Sequence, residues 1–108
     1  MAFRKVTAII RRERLAEVEA RLLEHGLGGI TVTPVKGFGE YANYFRGDLM
    51  VPHVRLEIFT SAARVEEIVG TIVDTACTEC AGDGLVAVAP VERIVRVRTK
   101  QDADPTTL

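Results

Sequence analysis

Segments of period two and segments of period near 3.6 alternate along this chain, and their order leaves few folds open. Phe3 to Ile10 sets Val6, Ala8 and Ile10 against polar neighbours and predicts a strand. Residues 12–25 place Leu15, Val18 and Leu22 at helical spacing, with Ala16 and Leu23 widening the stripe. Gly26 stands where that helix would make a left-handed stop, and His25 suits its negative end. The β-branched run Ile30 to Val35 lies between Gly28-Gly29 and Gly37-Phe38-Gly39, and predicts a second strand over about 28–36. An aperiodic stretch of aromatics and charges over 37–52 predicts a loop able to present a binding surface. His53 to Thr60 then sets Val54, Leu56 and Ile58 against His53, Arg55 and Glu57, a half-buried third strand. Thr60 and Ser61 offer an N-cap to a second helix striped by Val65, Ile68, Val69, Ile72, Val73 and Ala76. Leu85 to Ala89 predicts a fourth strand that Pro90 interrupts, and Val91 to Arg98 a further short one.

The resulting order, β-α-β-β-α-β, is the split arrangement of ferredoxin-like α+β sandwiches. Residues 1–99 form that single domain, and residues 100–108, rich in Asp and Thr, form a surface or disordered tail. Helices cover one face of such a sheet. The β-branched residues Val32, Val35, Val86 and Val88 suggest that the other face is buried too, which self-association would achieve. A net charge of −1 argues against a general nucleic-acid binder, which needs a basic face. No apolar run reaches the length of a membrane span and the N-terminus has no signal-peptide core, so a cytoplasmic protein without membrane insertion is expected.

Three groups of residues carry chemistry. Ala81-Gly82-Asp83-Gly84 is a glycine-rich turn whose backbone N–H groups could cradle a phosphate, although Gly-Asp-Gly is also an ordinary turn. Arg96 and Arg98, spaced by two, would share one face of a strand and grip a polyphosphate; equally, they would be protective charges on an edge strand. Glu57 is either a polar surface position or the residue that orders Lys36 or nearby backbone. Cys77-Thr-Glu-Cys80 has redox or metal-ligand spacing, but with only His25 and His53 as further soft ligands no metal site is assigned. The pair follows a helix C-terminus, where the dipole opposes thiolate formation. With no nucleophile-base-acid set, paired carboxylates or Walker sequence, the chain is read as non-enzymatic.

Thr31-Val-Thr-Pro-Val-Lys-Gly-Phe-Gly39, Gly82-Asp-Gly84 and Arg93-Ile-Val-Arg-Val-Arg-Thr99, in this order and spacing, resemble the signature stretches of the PII signal-transduction proteins. The resemblance runs from Val6 to Thr99 and implies a homotrimer that binds adenine nucleotides in clefts between subunits. It also implies that the 37–52 segment, the T-loop, docks on a partner protein, a transporter or an enzyme. By it, Gly29, Ile30 and Thr31 form the adenine and ribose side of the cleft, Gly37 and Phe38 lie beside the phosphates, and Glu57 and Phe59 line the base pocket. Ala81, Gly82, Asp83 and Gly84 belong to the B-loop, about 78–85, and Arg96 and Arg98 reach phosphates from the neighbouring subunit.

Departures from the family pattern refine the expectation. Leu85 replaces the lysine after Gly-Asp-Gly, Tyr41 the T-loop glutamine and His53 the lysine entering strand three. The T-loop is also several residues short and lacks the modified tyrosine. A leucine cannot balance phosphate charge, so ADP or AMP is expected over ATP. The chain is similar to short-loop PII-like proteins associated with carboxysome and bicarbonate-transport genes, in which bicarbonate joins the nucleotide; Lys36, Tyr41 and Arg46 would hold it here. Alternatives are a PII-like regulator linked to metal efflux or nitrogen, slow nucleotide hydrolysis in the same cleft with a loop acid such as Glu40, and, outside the resemblance, a purely structural or metal-responsive interaction protein using Cys77, Cys80 and His53.

Overall fold

The computed structural model describes residues 2–27, 29–37 and 51–108. Four strands, β1 (Phe3–Arg11), β2 (Thr31–Gly37), β3 (Val51–Ser61) and β4 (Gly84–Val91), form one sheet in the order β2-β3-β1-β4. Every pairing is antiparallel. Helices α1 (Leu15–Glu24) and α2 (Val65–Ala76) each follow a 3-10 turn, Arg12–Arg14 and Ala62–Arg64, and pack on one face of the sheet. This is the expected ferredoxin-like βαββαβ arrangement.

Alternation decides which side chains reach the core. Val6, Ala8 and Ile10 of β1 and Val54, Leu56 and Ile58 of β3 point at the helices and are buried. They meet Val18 and Leu22 of α1 and Ile68, Ile72 and Ala76 of α2. Two helical stripes are narrower than the sequence suggests. Leu23 is 66% exposed and Val73 47%, while Thr71 and Thr75 are buried in their place. Threonine is tolerated there because each hydroxyl donates to a carbonyl one turn back, Thr71 to Glu67 at 2.8 Å and Thr75 to Thr71 at 2.7 Å. Ser61 does not cap α2: it precedes the 3-10 turn and makes no side-chain capping bond.

Helix α1 ends as its sequence requires. Gly26 takes φ +76°, Gly26 N–H donates to Leu23 O at 2.9 Å and Leu27 N–H to Leu22 O at 3.2 Å. Those two bonds make a Schellman stop. It buries Leu27 and delivers Gly29 to Thr31 onto the sheet edge. His25 Nδ1 lies 2.9 Å from Glu67 Oε1, and Arg64 donates to the His25 carbonyl, fastening the end of α1 to the start of α2.

Past β3 the strands differ from expectation. β4 runs through Pro90, which pairs with Arg4; an edge strand has N–H groups without ladder partners, so the missing donor does no harm. Val86 and Val88 both point to the helix side, and the open face of β4 carries Leu85, Ala87 and Ala89 instead. Of the segment 91–98, Val91 ends β4 and only Val95–Arg96 forms a further strand (β5). It pairs with Gln101–Asp102 (β6) across a turn in which Lys100 has φ +59°. The last residues lie on the surface with one buried anchor, Ala103, and end in a 3-10 turn, Pro105–Thr107.

Candidate functional site

Apart from Arg98, the predicted site residues that are described fall into two groups toward opposite ends of β2 and β3. Thr31 faces Glu57 across the ladder, whereas Gly37 faces Val51. Six residue steps along β2 separate the two levels, about 20 Å of strand.

The first group gathers in a cleft of about 490 Å³. Gly29, Ile30 and Thr31 form one wall, Glu57 and Phe59 the floor, and Arg96 with Ile94 the other wall. A Cβ placed on Gly29 would meet no atom within 4 Å, so the space beside that backbone is the cleft itself. Phe59 is 47% exposed, an apolar surface of the kind that stacks on a flat ring. Glu57 is held from both sides, its Oε2 3.3 Å from Lys5 Nζ and its Oε1 3.0 Å from Arg55 Nε. The Arg55 contact is an ion pair by distance only, for that buried Nε makes no aligned hydrogen bond. Glu57 is therefore ordered by Lys5 and Arg55 rather than by Lys36, which stands opposite Pro52 further along. An ordered carboxylate, an apolar plate and a guanidinium within one cleft can accept from amino or hydroxyl groups, cover a ring and neutralise an anion.

Arg96 lines this cleft from the same chain as Thr31, Glu57 and Phe59, while the resemblance drew it from a neighbour. Arg98 does not share its face, because the strand ends at Arg96 and Arg98 stands on the following turn. Gly26, Leu27, Thr107 and Leu108 also line the cleft and were missed. The last two come from a tail whose return to the cleft no sequence pattern announces.

The second group is the glycine turn. Asp83 is its centre: its carboxylate accepts from Thr78 N–H at 2.7 Å, from the Thr78 hydroxyl, and from Arg11 Nε at 3.1 Å. Arg11 also donates to Ala81 O at 2.8 Å. Burial pushes the Asp83 pKa up, but the bonds from Thr78 and Arg11 more than offset it, and the group is lowered from 3.8 to about 2. Asp83 is thus a brace for the turn, and only the backbone of the turn is available to an anion. Gly82 and Gly84 hold φ +100° and +104°. A Cβ at Gly84 would lie 1.8 Å from Ile9 O, so the turn enters β4 through a contact only glycine permits. His53, buried, places Nε2 2.9 Å from Gly82 O, so that nitrogen donates, and the start of β3 is tied to the turn.

Phe38, Tyr41, Arg46 and the proposed hydrolytic Glu40 lie outside the described residues. Lys36 is exposed near the end of β2. Cys77 and Cys80 are exposed free thiols, and among the described residues no three His, Cys, Asp or Glu side chains group to hold a metal. No described helix is long and apolar enough to cross a membrane.

Residues 3–101 match the family model described as nitrogen regulatory protein P-II. The chain is 40% identical over 108 residues to nitrogen regulatory protein P-II of Klebsiella oxytoca, covering 94% of this chain and 96% of that one. It is 38% identical over 105 residues to the P-II homolog of Arabidopsis thaliana; the match covers 90% of this chain and spans 54% of that longer protein. The solved structure of Arabidopsis thaliana PII bound to citrate superposes with a TM-score of 0.83 at 39% identity, covering 95% and 90% of the two chains.

Proposed function

The chain belongs to the nitrogen regulatory protein P-II family, and from that premise we propose that it is a non-enzymatic signalling protein that binds an adenine nucleotide. The ligand is ADP or AMP in preference to ATP. Bicarbonate is the second ligand, and the 37–52 segment regulates a partner protein in inorganic-carbon metabolism. Proteins of this family are signal transducers that assemble as homotrimers. The observation that carries the reading is the cleft in which Thr31, Glu57, Phe59 and Arg96 meet.

The separation of the two groups supports a site shared between subunits. The glycine turn of the same chain stands level with His53 and Val54 and does not line the cleft that holds Arg96; in this reading a neighbouring chain supplies it. In this arrangement the base lies against Ile30 and Phe59, Glu57 accepts from amino or hydroxyl groups, and Arg96 takes phosphate charge. Gly37 and the N–H groups of Ala81 to Gly84 approach from the neighbour, with Phe38 assigned beside them by the family resemblance alone, and Arg98 joins them from its turn. Leu85, 44% exposed where the family carries lysine, leaves the outer phosphate uncompensated. A charge-assisted contact is worth about 1.5–3 kcal/mol, so its absence weighs most against the triphosphate. The solved Arabidopsis relative binds citrate, a small carboxylate anion, which supports an anion as second ligand here. Lys36, Tyr41 and Arg46 are the residues assigned to it.

Isothermal titration with AMP, ADP and ATP, each with and without bicarbonate or 2-oxoglutarate, tests the proposal. Tighter ADP or AMP binding in bicarbonate, with 2-oxoglutarate inert, is the expected result. A response to 2-oxoglutarate in place of bicarbonate would move the protein to nitrogen sensing, and no nucleotide binding at all would end the reading.

A further inference from the structure

Beyond Glu57, Phe59 and Arg96, the cleft is lined by a segment that follows the residues 3–101 matched to the family: the turn Pro105–Thr107, through Thr107, and the residue after it, Leu108. We propose that this turn is the base-side wall of the binding cleft, and that Leu108 is a specificity-determining residue which holds a purine ring against Phe59. The inference rests on the nucleotide reading of the cleft and adds a residue to it.

The turn is a built element. Ala103 is buried and donates its N–H to Ile94 O at 2.9 Å, bringing the tail alongside the wall that carries Arg96. Asp104 then caps the turn: its carboxylate accepts from Thr106 N–H at 2.9 Å and from the Thr106 hydroxyl at 2.8 Å. Its carbonyl accepts from Thr107 N–H at 3.1 Å and from the Thr107 hydroxyl at 3.0 Å. Pro105 at the first position fixes the backbone for helical entry. Asp104 has its carboxyl pKa lowered by the Thr106 bonds, in keeping with a formed cap.

Position and chemistry favour a base at this wall. Leu108 and Ile94 join Ile30 and Phe59 around the cleft, giving an apolar surround distinct from the single guanidinium of Arg96. A phosphate gains nothing from such a surround, whereas both faces of a purine ring lose unfavourable water contact in it. The Thr107 hydroxyl spends its proton on Asp104 O, which leaves its oxygen as an acceptor for a ring amino group.

Calorimetry on the full chain, on Leu108→Ala and on a chain ending at Ala103 tests the inference, with ADP as probe and trimer mass measured for each. Both changes should weaken ADP about tenfold, which is about 1.4 kcal/mol, with the trimer retained. Hydrogen exchange should show ADP slowing the Thr106, Thr107 and Leu108 amides in the full chain, which a merely structural tail would not do. If the shortened chain fails to assemble, Leu108→Ala decides alone. Wild-type affinity in Leu108→Ala, or tail amides that ADP leaves unprotected, would overturn the wall while leaving the nucleotide reading standing. Absence of ADP binding to the unaltered chain would overturn both.

Discussion

Asp83 shows how a residue that reads as part of a phosphate loop serves first to hold that loop in shape. Its carboxylate gathers two donors from Thr78 and one from Arg11, so protonation must loosen the turn. Its folded pKa, about 2, lies below the ordinary 3.8. A depressed carboxyl pKa stabilises the fold fully above the ordinary value, and that contribution disappears as pH falls from about 4 to about 2. Allowing for solvent screening, the contribution is about 1–2 kcal/mol at neutral pH. Urea midpoints of wild type and Asp83→Asn should differ at pH 7 and converge near pH 2; a constant difference would show that ionisation is not what matters. Leu85, the next residue after the turn's last glycine, makes a second test. Leu85→Lys should tighten ATP by about tenfold or more while changing AMP little, since only the outer phosphate gains a charge-assisted partner. Equal gains for both nucleotides would place residue 85 elsewhere. Neither role of Asp83 or Glu57 was visible in the sequence, because Arg11 and Lys5 lie on β1 and meet them only through the fold, while Arg55, two residues before Glu57 on the same strand, gives no signal by itself that the two pair.

At the scale of elements, the order of strands and helices could be read from periodicity alone, and the faces only in part. Spacing placed Leu22 and Leu23 in one stripe, yet the helix turns the second into solvent. Leu22→Ala should cost about 2–5 kcal/mol, as buried leucines do, and Leu23→Ala less than about 0.5 kcal/mol, both read from denaturant midpoints. Similar costs would return Leu23 to the core. Thr71 and Thr75 were hidden for the complementary reason: a threonine bonded to the carbonyl one turn back behaves as an apolar residue, which no hydropathy pattern reports. Pro90 misled through a rule that holds for central strands, whereas β4 is an edge. Arg98 misled through assuming a strand where the chain turns, and the two-residue pairing of β5 with β6 is too short to leave a periodic trace.

For the whole molecule, the decisive fact is that one chain holds its two candidate halves apart. Arg96, Thr31 and Glu57 line one end, and the glycine turn lies at the other, tied to the start of β3 through His53 and Gly82. If the ligand site forms only where one subunit meets the next, damage to different halves in different chains is repairable by mixing. Arg96→Ala removes the guanidinium from the cleft half. Ala81→Glu, at an exposed position, sets a repelling carboxylate beside the glycine turn. Each variant alone should assemble and bind ADP poorly. In a ring, each interface joins the cleft half of one chain to the turn half of its neighbour. Random mixing of equal amounts leaves both halves intact at one interface in four, so unfolded and co-refolded chains should recover about a quarter of wild-type ADP stoichiometry at wild-type affinity. A site contained within a single chain would recover none, since every chain in the mixture carries one lesion. The same titration therefore separates a cleft that recognises its ligand alone from one that exists only in the assembled ring.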